Sequence, residues 1–219
     1  TSVRGEMGDY NCNWIILATG GVSYPSTGST GDGYKIAKAL GHTIIDPEGS
    51  LVPLSSEDSD CATMQGLSLR NVSVRLINGE GKQLYKDFGE LLFTHFGVSG
   101  PLILSASCKY VQKAYKEQAL LTIDLKPALS EEQLDKRILR DFEEQLNKDF
   151  INSLDGLLPK SLVPVVVKLS GIERDKKVNQ ISREERMRLV SLLKNLTLNI
   201  TGFRPIEEAI VTSGGISVK

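Results

Sequence analysis

The chain has 219 residues, 40% hydrophobic and 24% charged, with a formal net charge of -1. This is ordinary globular composition, and the near-zero balance speaks against a nucleic-acid partner or an anionic membrane surface. No apolar run approaches the roughly 20 residues needed to span a bilayer, and residues 1–14 lack the apolar centre of a signal peptide.

The three cysteines, Cys12, Cys61 and Cys108, are odd in number and widely spaced. Together with only two histidines, His42 and His95, they argue for a reducing, cytoplasmic setting and against a disulfide framework or a metal centre.

In chain order, a strand or hairpin is expected around Thr1 to Arg4. Ile15, Ile16 and Leu17 then form a continuous apolar run closed by small residues, which predicts a buried strand. A glycine-rich loop follows, and residues 32–42 predict a short helix with Asp32 as N-cap and Gly41 as C-cap. Residues 42–46 predict another strand, so the segment has a strand–loop–helix character.

Two phosphate-loop templates fail on this loop. Gly28, Gly31 and Gly33 run GxxGxG rather than the dinucleotide-binding GxGxxG. Gly28 and Gly33 have the spacing of a P-loop pair, but Tyr34-Lys35 follows where Lys-Ser/Thr is required. An autonomous NTPase is therefore rejected.

Residues 47–60 are turn-rich and polar, and Glu57, Asp58 and Asp60 are expected to be solvated. Beyond them Val72, Val74 and Leu76 alternate, residues 78–81 read Asn-Gly-Glu-Gly as a hairpin turn, and residues 82–97 and 119–125 continue as strands. Short strands with glycine turns predict a small antiparallel barrel or sandwich. Residues 129–196 are helical in pattern. Ser130 to Gln133 and Ser182 to Glu185 are capping boxes, and Pro164 is placed in the first turn of a middle helix. Strand character returns at about Thr197, so the helices are inserted into the β domain.

Chemistry concentrates in three glycine motifs: residues 18–33, residues 93–101 and residues 212–217. Glycine in such positions lets a backbone approach a ligand or adopt φ > 0. His95, beside Gly97, is the acid–base candidate, although no Ser, Cys or carboxylate partner is visible in sequence.

Taken together, the stretches 16–44, 51–54, 91–101 and 210–217 resemble the bacterial YhiN-like NAD(P)/FAD-dependent oxidoreductases, also described as aminoacetone oxidase-like flavoproteins. The resemblance implies an α+β protein. Residues 1–50 would be a remnant of a Rossmann-like FAD domain. Residues 51–128 and 197–211 would be an inserted antiparallel β-barrel domain, residues 129–196 its helical subdomain, and residues 212–219 a return to the FAD domain. It implies FAD as cofactor, NAD(P)H as a co-substrate, and an unidentified small-molecule substrate. Ala18, Thr19, Gly20, Gly21, Ser213, Gly214 and Gly215 would lie near the flavin, with Tyr24, Thr94, His95 and Gly97 near the substrate. The family's opening GxGxxG and its closing segment have no counterpart in these residues. An internal fragment that is inactive and does not retain FAD is therefore expected. The competing reading is a non-catalytic binding module built on the barrel and helices.

Overall fold

A computed structural model describes residues 2–5, 7–113 and 118–218; Thr1 and Lys219, at the ends of expected strands, lie outside them. The elements in chain order are β1 Ser2–Gly5, β2 Gly8–Asn11, α1 Asp32–Ala39, β3 Ile44–Ser50, β4 Leu54–Ser56, α2 Asp60–Thr63, β5 Ser68–Asn78 and β6 Gln83–Thr94. They continue with β7 Gly97–Ser99, α3 Pro101–Lys113, β8 Ala119–Asp124, α4 Glu131–Glu143, α5 Phe150–Ser153, α6 Val163–Ser170, α7 Arg183–Lys194, β9 Leu196–Phe203 and β10 Val211–Ile216. They form two units, residues 1–49 with 206–219, and residues 50–205. Residues 206–211, expected in the barrel domain, belong to the first.

The larger unit is a closed antiparallel barrel in the order β4-β7-β6-β5-β8-β9, with helices between its strands. The architecture is the expected mixed α and β one with a small barrel. Alternation makes the inner wall: Val72, Val74 and Leu76 of β5 are buried, as are Leu121 and Ile123 of β8 and Leu198 and Ile200 of β9. Closure pairs every strand edge, the commonest liability of a small sheet. A bulge between Leu69 and Val72 lets β5 bend, and Asn71 takes the left-handed conformation there with φ 55°.

Residues 125–195 connect β8 to β9, which are themselves neighbours in the barrel. Both capping boxes form: Ser130 caps α4 with Gln133 reaching back, and Ser182 caps α7 with Glu185 reaching back. Pro164 lies in the first turn of α6. Leu134, Ile138 and Phe142 bury the inner face of α4, whereas Leu146, the next residue at that spacing, lies past the helix end and is half exposed.

Three features differ from the sequence reading. The polar segment 51–60 contains β4, which closes the barrel. Glu57 is exposed as expected, but the other two carboxylates are not simply solvated: Asp58 accepts hydrogen bonds from the Asn199 backbone N–H (2.6 Å) and the Ser56 hydroxyl (3.0 Å), and Asp60 pairs with Lys168 at 2.8 Å. Helix α3 was hidden because its Leu-Ile-Leu opening looks like strand. Pro101 starts it directly after Gly100, and Leu102, Ile103, Ala106 and Tyr110 bury one face.

The third difference lies in the smaller unit. It holds the hairpin β1–β2, helix α1, and the two-stranded sheet β3–β10. The strand predicted over Ile15 to Leu17 does not form, and Trp14, Ile15, Ile16 and Leu17 are 89%, 53%, 91% and 44% exposed. An apolar run of this kind becomes a strand only where neighbours satisfy its backbone and cover its faces, and among the described residues none pairs with it. Helix α1 forms as expected, but Gly31 with φ 78° is its N-cap; Asp32 enters the first turn and binds Thr30 and Lys35. Both hydrogen bonds hold the Asp32 carboxyl below its ordinary range.

Candidate functional site

In the smaller unit the first and third glycine motifs meet through one side chain, Thr212. Its hydroxyl oxygen accepts from the backbone N–H groups of Val22 (3.0 Å) and Ser23 (3.2 Å) and shares a hydrogen bond with Ser23 Oγ at 3.0 Å. The loop 21–23 is thus clamped onto β10. Only glycine fits at 21, because a Cβ there would collide with Thr212.

Beside this clamp is a cavity of about 460 Å³. Gly21, Ser23, Tyr24, Ser29, Tyr34 and Thr212 line part of it, and its lining includes no Lys, Arg, Asp or Glu. Tyr24 adopts the left-handed region at φ 49°, which is uncommon for a bulky residue, and its N–H donates to Glu207 O at 3.0 Å.

The predicted residues separate here. Gly21 and Tyr24 line the cavity, whereas Ala18, Thr19, Gly20, Ser213, Gly214 and Gly215 do not. The chain itself fills the space beside several of these glycines. A Cβ at Gly20 would lie 2.8 Å from Ser29 Oγ, one at Gly214 2.6 Å from Asp46 O, and one at Gly215 2.9 Å from the Tyr34 ring. Thr19 stands over Gly33 in the same way. Tyr34 and Thr212 were missed in sequence; the only signal was a hydroxyl directly before Ser-Gly-Gly and an aromatic in the first turn of α1.

In the larger unit Thr94, His95 and Gly97 form the tight turn from β6 to β7. Gly97 has φ 146°, and a Cβ there would strike the Leu54 carbonyl of β4. This glycine is required by barrel closure. His95 is exposed; its ring meets Phe96 edge-on with centroids 5.0 Å apart, and Arg204 lies 4.6 Å over Phe96. Among the described residues His95 makes no ion pair, and the buried Thr94 hydroxyl has no hydrogen-bond partner. Cys61 is buried and desolvation raises its thiol to about 11, so it is a poor nucleophile.

No helix among the described residues is long and apolar enough to cross a membrane.

An antiparallel barrel with an inserted helical subdomain, joined in sequence to a glycine-loop α/β unit, defines a recognisable class. Residues 48–211 match the model of the HI0933-like protein barrel and H2TH domain, and the chain belongs to that family, which is related to flavoprotein-type oxidoreductases. It is similar to the ribosomal RNA dihydrouridine synthase of Haemophilus influenzae, 32% identical over 96% of this chain and 49% of the relative. The ribosomal RNA dihydrouridine synthase of Escherichia coli is 30% identical over 94% of this chain and 48% of the relative. The 3-dehydro-bile acid delta(4,6)-reductase of Clostridium scindens is 26% identical over 98% of this chain and 52% of the relative. The chain thus spans about half the length of these relatives.

Proposed function

We propose that this chain is the barrel-bearing part of an FAD-dependent oxidoreductase that reduces a carbon–carbon double bond conjugated to a carbonyl, with NAD(P)H as reductant. The relatives' names motivate the chemistry. Uracil and a 3-oxo-delta(4,6) steroid share that one reactive unit. Its reduction adds hydride at the carbon β to the carbonyl and a proton at the α carbon, the two electrons coming from NAD(P)H.

The observation that carries the reading is the clamped, uncharged cavity. At about 460 Å³ it falls within the range of about 300–1,000 Å³ usual for cofactor and ligand pockets. Glycine backbone, hydroxyls and two tyrosines suit a planar, hydrogen-bonding ring. The same lining has nothing to neutralise a pyrophosphate, so the residues present fit the flavin ring and not the phosphates. When bound, FAD would supply the hydride.

The chain's own contributions are specific. Thr212 fixes the loop 21–23, Tyr34 supports the loop from behind Gly21 and Gly215, and Tyr24 lines the cavity. A phenol can donate to the oxyanion that develops on a carbonyl as hydride arrives. His95 is the proposed acid–base group of the barrel unit.

The test is flavin content. The whole protein purifies yellow with FAD under this reading, and Thr212→Val lowers its occupancy. The 219 residues alone bind FAD weakly. A colourless whole protein that gains no flavin on adding FAD sinks the reading.

A further inference from the structure

We propose that the outer wall of the barrel and the adjoining face of α4 form one cationic track that binds the sugar-phosphate backbone of single-stranded RNA. The observations are independent of any cofactor; only the choice of RNA among polyanions rests on the function proposed above.

The track starts on the outward side of three strands. Arg75 of β5 lies directly opposite Lys86 of β6 and Thr122 of β8. Like charges paired across a sheet destabilise it. Neither cation has an ion-pair partner among the described residues, and both are exposed. One step along the same wall, Phe88 faces Ser73, with Asp124 on the other side. Phe88 is 58% exposed. Of the carboxylates nearby, Asp124 is taken up by Lys194 at 2.7 Å, Glu90, two residues along β6 on the same side, pairs with Arg70 at 3.7 Å, and Asp87 accepts from the Tyr85 hydroxyl. Arg75, Lys86, Ser73 and Asn195 line a cavity of about 310 Å³ here.

Lys194, whose ammonium is spent on Asp124, joins this patch to the next. Its ammonium also donates to the carbonyls of Lys126 and Leu129. Leu129 lines the next depression together with Lys136, Arg137 and Arg140. With Gln133, these occupy i, i+3, i+4 and i+7 on α4, so they share one face. Asp141 is the one acid bound to that group, shared by Arg137 and Arg140. Lys126, between the two patches, has no ion pair among the described residues, and burial first, then repulsion from Arg137, lowers its affinity for a proton.

Unbalanced cations beside an exposed aromatic are the elements of a single-strand platform, in which the groove follows phosphates and a base stacks on the ring. The near-zero net charge of the chain is a sum over all faces and does not describe this one. A polyanion laid here would relieve the Arg75–Lys86 and Lys126–Arg137 repulsions.

The experiment measures binding of a fluorescent single-stranded RNA to the whole protein across salt concentrations. Arg75→Gln with Lys86→Gln is expected to weaken binding at least tenfold. It should also flatten the slope of log K against log salt by about 1.4, at roughly 0.7 per lost phosphate contact. Phe88→Ala should weaken binding about tenfold, within the range for a lost base stack. Lys109→Gln, an exposed cation on α3, should change neither. Unaltered binding in the double variant, equal loss in Lys109→Gln, no RNA binding at all, or equally tight, equally sensitive binding to vesicles containing phosphatidylserine would each overturn the proposal. Flavin content is read on the same samples. RNA binding without FAD defeats only the cofactor reading, and FAD without RNA binding defeats only the track.

Discussion

The two units obey the same physics with opposite results. Residues 50–205 bury one continuous core from Leu54 to Ile200, including Phe93, Phe150, Met64 and Leu121. In the smaller unit Ala37 and Ala209 are the buried hydrophobic residues among those described, while Trp14, Ile16 and Leu40 stand in solvent. A closed barrel finds every backbone partner and every apolar neighbour within itself. A glycine-loop crossover does not, because its strand requires a sheet around it. What holds the smaller unit is polar: the Thr212 clamp, and β3 against β10.

The largest expected contrast is therefore in core truncation. Phe93→Ala should cost about 3–5 kcal/mol in urea unfolding, the usual range for a buried aromatic. Ile16→Ser should change the same measurement by less than about 0.5 kcal/mol. Equal effects would erase the distinction between the units. Next is Thr212→Val, which removes an acceptor from two backbone N–H groups and should cost about 1–3 kcal/mol locally. Because the clamp lies outside the barrel core, hydrogen exchange at Val22 and Ser23 should speed up while barrel amides keep their protection.

Smaller still is the cap of α7. Ser182→Ala should cost about 1 kcal/mol. Glu185, at the same cap, accepts from Lys176 at 2.7 Å and from the Ser182 N–H, and these bonds lower its folded-state pKa. A carboxyl depressed in the folded state adds stability that is complete above its unfolded pKa and is lost as pH falls through the folded value. Glu185→Gln should accordingly flatten the acid limb of the stability profile. A curve that keeps the wild-type shape would remove Glu185 from that role.

Legibility in the sequence followed the same division. The capping boxes, Pro164, and the alternation of β5 are local signals, and the local backbone decides them. Strand β4 was hidden because three residues carry no period, and their role comes only from closing against β7 and β9. Helix α3 was hidden because a short apolar run reads the same on a helix and on a buried strand. At the site, the glycines were visible but their neighbours were not. Gly97 answers to Leu54, Gly214 to Asp46, and Gly21 to Thr212, all contacts between residues distant in sequence. Residues 14–17 show the converse error, in which a strong strand pattern had no partner to complete it.

The central claim is tested most directly by following the flavin spectrum of the whole protein under anaerobic conditions. The account predicts that NAD(P)H bleaches the oxidised flavin bands and that a compound with a carbonyl-conjugated double bond restores them, yielding its saturated product. A protein with no flavin bands, or a reduced flavin that no such compound reoxidises, would contradict it.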